Sequence, residues 1–188
     1  MRYIAAFVLV CFTIVKTTAQ ESNEADQFWA SLQALCNTSY KGTLLVPEND
    51  PQFAGKELIM HVRSCNDTQI KIPFFVGEDR SRTWVFTKEN NRITLQHDHR
   101  HEDGSEDAIT MYGGTTTNVG QATLQLFPAD AHTQKIIPAA SSNVWWVTID
   151  GSTFTYNLRR LGTDRLFTVS FDLSTPVKNP EAPWGWKE

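Results

Sequence analysis

Hydrophobic and polar positions change their period once along this chain. Between Asn23 and Cys36 the apolar residues Phe28, Leu32, Leu35 and Cys36 recur at helical spacing, and Trp29 widens their stripe. Asn23 is a good capping residue, and Glu24 and Asp26 put negative charge where the free N–H groups of a first turn point. This predicts a helix over 24–35. From Gly42 onward the period is two. Alternation predicts strands over 43–46, 57–65, 69–76, 83–88, 92–102, 108–116, 122–127, 144–149, 153–160 and 166–173. The turns between them are marked by Asn66-Asp67, Gly77-Glu78-Asp79, Asn90-Asn91, Asp103-Gly104 and Asp150-Gly151, residue types that tolerate left-handed backbone.

Short strands at this spacing, with no internal repeat, belong to antiparallel sandwiches and barrels. One-sided alternation favours a sheet curved around an interior. Phe154, Tyr156 and Leu158 share a face against Thr153, Thr155 and Asn157, and Phe167, Val169, Phe171 and Leu173 do so against Thr168, Ser170 and Asp172. The expected fold is all-β: a single antiparallel up-and-down barrel of about ten strands with a short N-terminal helix.

Both termini stand outside that pattern. Residues 1–19 combine Arg2, an apolar run from Ile4 to Val15 and the small residues Thr17-Thr18-Ala19, the layout of a signal peptide. Its apolar run is too short to span a bilayer, and the mature chain is expected to begin at Gln20 and to be secreted or periplasmic. The barrel domain is then 20–175. Residues 176–188 form a tail with three prolines, Trp184 and Trp186, expected to dock its tryptophans on the barrel rather than to form a regular strand.

Composition narrows the partners. The chain has 17 basic and 21 acidic residues, and loss of Arg2 and Lys16 with the leader takes the formal charge from -4 to -6. No basic face is available for phosphates, which argues against nucleic acid, and no further stretch is long and apolar enough for a transmembrane helix. With Cys11 in the leader, Cys36 and Cys65 remain, an even pair expected to form one disulfide in an exported protein. Asn37-Thr38-Ser39 and Asn66-Asp67-Thr68, each directly after a cysteine, are glycosylation sequons that matter in a eukaryotic host.

The helix and the first strand carry a resemblance. Phe28-Trp29, Leu32, Leu35, Tyr40 and Gly42 resemble the opening of nitrobindin-like proteins, in which Leu-Leu-Gly-x-Trp-x-Gly leads into a barrel, with Cys36-Asn37 here in place of the first glycine and Tyr40 in place of the tryptophan. The helix followed by meandering strands is similar more generally to the calycin group, which also holds the lipocalins and fatty-acid-binding proteins. The resemblance implies a calycin-like barrel with an interior ligand. The family's haem-ligating histidine lies near its C-terminus, whereas the last histidine here is His132.

One segment concentrates candidate chemistry. His97, His99 and His101 alternate, so on a strand they share a face, continuing the row of Ile93 and Leu95. A two-residue turn at Asp103-Gly104 sets Arg100 against Asp107 and His101 against Glu106. A three-residue turn, Asp103-Gly104-Ser105, sets His101 against Asp107, His99 against Ile109 and His97 against Met111. The latter is favoured because it keeps the apolar residues on one face, although Asp-Gly turns prefer two residues. The histidines have three readings: ligands of a divalent metal, similar to the HxH of cupins but with Asn91 where the cupin glycine stands; an acid–base pair with a carboxylate; or a polar hairpin tip at the barrel mouth.

Arginines supply the remaining candidates. In Glu78-Asp79-Arg80-Ser81-Arg82 the arginines either make surface ion pairs or, for Arg82 beside Trp84, line the mouth to bind an anion. Arg160 shares the face of Phe154, Tyr156 and Leu158, similar to the arginine and tyrosine that fatty-acid-binding barrels place under a carboxylate, or else it reaches to solvent. Gly-x-Ser-x-Gly, His-Glu-x-x-His and phosphate-loop motifs are missing. The expected function is binding of a small, partly apolar ligand through His97, His99, His101, Arg82, Trp84, Tyr156 and Arg160. The alternatives are a metal-dependent or histidine-based secreted enzyme using His97, His99 and His101, and a structural or interaction protein of the cell envelope.

Overall fold

A computed structural model describes residues 23–187; the expected leader 1–19 lies outside them. In chain order the elements are α1 (Glu24–Ala34), β1 (Ser39–Val46), β2 (Leu58–His61), β3 (Ser64–Cys65), β4 (Gln69–Val76), β5 (Asp79–Glu89) and β6 (Arg92–His99). They continue with β7 (Tyr112–Thr115), β8 (Leu124–Pro128), α2 (Ala131–Ile136), a 3-10 turn at Pro138–Ala140, β9 (Asn143–Asp150), β10 (Thr153–Arg160) and β11 (Leu166–Val177).

All strand pairs are antiparallel, in the order β7-β6-β5-β4-β2-β1-β11-β10-β9-β8, with β3 paired to β4. Except at β2/β3 and β7/β8, strands next to each other in sequence are paired in the sheet, and β1 meets β11 to join the two ends of the meander. The result is an all-β, nearly closed antiparallel barrel whose one gap in the ladder lies between β7 and β8. Helix α2 stitches that gap. Its Thr133 hydroxyl accepts from Gly113 N–H (2.7 Å) and donates to Gly113 C=O (2.8 Å), and Asp130 N–H donates to the same carbonyl (2.9 Å). The two sides come so close that a Cβ on Gly114 would lie 1.8 Å from the Pro128 carbonyl oxygen, so only glycine fits there.

The inward faces follow the alternation. Ile93, Leu95 and His97 on β6, Phe154, Tyr156 and Leu158 on β10, and Phe167, Val169 and Phe171 on β11 are buried. Helix α1 is capped by Asn23, whose side chain accepts from Asp26 N–H, and its buried face of Ala25, Phe28, Trp29 and Leu32 joins the barrel core. An ion pair from Asp26 to Lys88, near the end of β5, and a hydrogen bond from Ala122 N–H to Glu24 fix it at one end of the barrel. Cys36 and Cys65 are bridged, tying the end of α1 to β3.

Several boundaries differ from expectation, each for a local reason. The expected strand 57–65 is broken, because Val62 N–H turns to Thr38 C=O and Arg63 N–H to Lys71 C=O. The expected charged loop before Trp84 is the first part of β5, with only Gly77-Glu78 left for the turn. β11 runs on to Val177, and Pro176 pairs with Tyr40 across an irregular register, so the tail starts later than expected. The short helix α2, capped by Asp130, had not been expected; its signal is that capping residue.

The hairpin after β6 obeys neither expected register. His99 ends the strand, its N–H donating to Thr110 Oγ1. Arg100 bridges to Glu106, Asp107 N–H donates to His99 C=O, and pairing resumes only at His97↔Tyr112, after Met111 takes a positive φ of 56°. The expected strand 108–116 is thus reduced to β7. The tail crosses the outside of the barrel: Trp184 N–H donates to Arg80 C=O, and Trp186 lies under Arg63 and Lys71. Among the described residues no helix is long and apolar enough to cross a membrane.

Candidate functional site

The end of the barrel opposite α1 is not filled. A cavity of about 380 Å³ opens there, toward the small end of the range of ligand pockets. Its walls are built by strand termini: the last part of β4, β6 and β10, and the first part of β5, β9 and β11. Phe53 and Gln52, from the segment between β1 and β2, Ile137, just before the 3-10 turn, and Ala140, its last residue, complete the lining.

The cavity wall is largely aromatic. Trp84 stacks on Tyr156 (4.4 Å between ring centres) and on Phe74 (4.8 Å), and Phe53 packs on Phe167 (4.8 Å). Trp145 approaches from β9, tilted against His97 at 5.2 Å.

Four polar residues of this wall, Tyr156, His97, Tyr112 and His99, are linked by hydrogen bonds. His97 is buried, stacked on Tyr112 at 4.6 Å, and both its nitrogens are engaged. Nδ1 lies 2.9 Å from the Tyr112 carbonyl oxygen, which can only accept, so Nδ1 carries the proton. Nε2 therefore accepts from the Tyr156 hydroxyl at 2.7 Å, and the Trp145 indole N–H donates to that hydroxyl. Burial holds the His97 imidazole neutral, its pKa lowered to about 3, against the opposing effect of the Tyr112 carbonyl. Burial also raises the Tyr112 phenol to about 12 and the Tyr156 phenol well above its usual value.

His99 stands one step nearer the opening, with Nε2 3.1 Å from the Tyr112 hydroxyl. Its pKa is lowered, first by burial and then by the Arg82 charge. These groups present neutral donors and acceptors. Its two hydrogen bonds hold the His97 ring and the Tyr156 hydroxyl in fixed relation.

Six of the sequence candidates, Arg82, Trp84, His97, His99, Tyr156 and Arg160, lie on the cavity wall. His101 does not. The strand ends at His99, and His101 sits in the exposed loop, its N–H donating to Ser105 C=O. The three histidines therefore do not converge, and among the described residues no group of three His, Cys, Asp or Glu side chains is placed to hold a metal ion. The alternation that would align the three imidazoles stops at His99, where β6 ends.

Sequence reasoning missed Phe53, Tyr112, Trp145 and Arg165 on the wall. Trp145 could have been found, since it alternates inward with Val147 and Ile149. Tyr112 was hidden by the wrong hairpin register. Phe53 and Arg165 lie outside periodic segments and carry no such signal.

No family model matches the chain, and no curated protein matches it. Among solved structures the chain is similar to a redesigned β-barrel, mFAP1, bound to DFHBI, with 12% identity over 76% of this chain and 97% of that one and a TM-score of 0.33.

Proposed function

We propose that this protein is an exported barrel that binds a small, partly apolar ligand in the cavity opposite α1. The observation that carries this reading is the cavity itself. A barrel whose other end is packed solid keeps about 380 Å³ open here, walled by aromatic rings and a few fixed polar groups. The Tyr156–His97–Tyr112 chain is held by its own hydrogen bonds, so binding meets a preformed wall and loses little freedom in ordering it. Tyr112 and His99, nearer the opening, offer a ligand hydroxyl or carbonyl a neutral partner.

Export is supported by the leader-like residues 1–19 and by the Cys36–Cys65 bridge, which suits an oxidising compartment. The mature protein recovered from producing cells should then begin at Gln20.

Titration with the neutral fluorophore N-phenyl-1-naphthylamine tests the binding reading. Saturable binding of one molecule per chain, with quenching of tryptophan emission, is the expected outcome. Absence of saturable binding both of this probe and of its sulfonated analogue, 1-anilinonaphthalene-8-sulfonate, overturns it.

A further inference from the structure

Charge is unevenly spread over this molecule. Acidic residues outnumber basic ones, 21 to 17, yet among the described residues the cavity wall holds Arg82, Arg160 and Arg165 and no carboxylate. The three arginines are not equivalent. Arg82 is ion-paired to Asp79 and lies over the Phe53 ring, so much of its charge is already answered. Arg160 gives its Nε–H to the neutral side chain of Asn143 at 2.9 Å. The Arg165 guanidinium has no hydrogen-bond or ion-pair partner among the described residues. The backbones of these last two meet across the β10–β11 hairpin, Arg160 N–H donating to Arg165 C=O at 3.1 Å.

Like charges set across neighbouring strands destabilise one another. An anion between them removes that repulsion and gains charge-assisted hydrogen bonds, for which a guanidinium is suited geometrically as well as electrically. The aromatic wall of Trp84, Tyr156 and Phe167 lies beside them. Resting on the reading that the cavity holds a ligand, we infer that this ligand is a small organic anion with a flat, unsaturated body. Its carboxylate or sulfonate sits between Arg160 and Arg165 at the rim, and its body lies against the aromatic wall. The neutral His97 and Tyr156 contact the part of the molecule that carries no charge.

Two probes that share one aromatic body isolate the charge: 1-anilinonaphthalene-8-sulfonate and the neutral N-phenyl-1-naphthylamine. At low salt the purified protein should bind the sulfonate at least about tenfold more tightly than the neutral probe. Arg165→Gln, at an exposed side chain that supports nothing else, should lower sulfonate affinity about three- to tenfold. The double change Arg160→Gln with Arg165→Gln should erase the preference, the affinities for the two probes then agreeing within about twofold. Equal affinities in the wild type, or a preference that survives the double change, overturn the inference while leaving the binding cavity intact. If neither probe binds saturably, the cavity reading and the inference fall together.

Discussion

The two ends of this barrel are made from the same strands, and they have opposite character. At the α1 end, Phe28 and Leu32 reach into a core with Ile70, Phe86, Phe154 and Phe171, all with essentially no exposure. At the other end the same inward rows run on into His97, Tyr156 and Arg160, and the space between them stays open. The helix makes the difference. A barrel of this size has more interior than its strands can fill at one end, and α1 supplies the missing side chains there. Among the described residues nothing comparable caps the other end; Phe53 and the 3-10 turn only narrow it. Stability should therefore reside at the α1 end, and recognition at the other.

Truncating the plug is the most severe way to break that division. Phe28→Ala should cost about 3–5 kcal/mol in denaturant unfolding, because it opens a cavity in a fully packed core. Phe53→Ala, on the half-buried rim, should cost about 1 kcal/mol but weaken binding of the naphthylamine probe. Comparable losses for the two would abolish the distinction.

Breaking the Cys36–Cys65 bridge comes next. It closes a loop of sequence separation 29 beside α1, and its loss should cost about 3 kcal/mol while leaving ligand affinity of the folded protein unchanged. Tyr156→Phe acts at the open end. It leaves His97 Nε2 buried without its donor and should cost about 1–3 kcal/mol, measured by the same unfolding curves.

Acid sharpens the comparison, because each half holds a buried neutral histidine. His61 on β2 is lowered to about 4 by burial and then by the Arg63 charge, and His97 to about 3 by burial. Both would titrate at 6.5 in the unfolded chain. Below that pH the unfolded state binds protons that the folded state refuses, so stability present above pH 6.5 is lost as pH falls toward 4 for His61 and 3 for His97. Unfolding curves at pH 7 and pH 4.5 should show this decline, and His61→Gln and His97→Gln should each flatten part of it. Smallest of all, Arg165→Gln should change stability by less than about 0.5 kcal/mol despite its effect on anion binding.

How far the sequence reaches also differs between the ends. The inward rows of β6, β10 and β11 were legible because burial on one face leaves a strict period of two. The plug was legible from Asn23 and the spacing of Phe28 and Leu32. The rim was not. Asp103-Gly104-Ser105 can turn in several ways, and the outcome is set by tertiary contacts: Thr110 Oγ1 takes the His99 N–H, and a Cβ on Gly104 (φ +85°) would meet Gly185 of the tail at 2.9 Å. That choice decided that Tyr112, and not Met111, stands across from His97. Phe53 and Arg165 reach the cavity from turns, where neither period nor propensity says which way a side chain points.

The tryptophans offer the most direct measurement of the central claim. Trp84 and Trp145 line the open end, whereas Trp29 lies in the buried face of α1. Their indole N–H resonances can be followed by 1H–15N NMR during titration with 1-anilinonaphthalene-8-sulfonate. Saturable shifts at Trp84 and Trp145 with Trp29 unmoved are predicted; shifts led by Trp29, or none at Trp84 and Trp145 while the probe binds, would contradict the assignment of recognition to the open end.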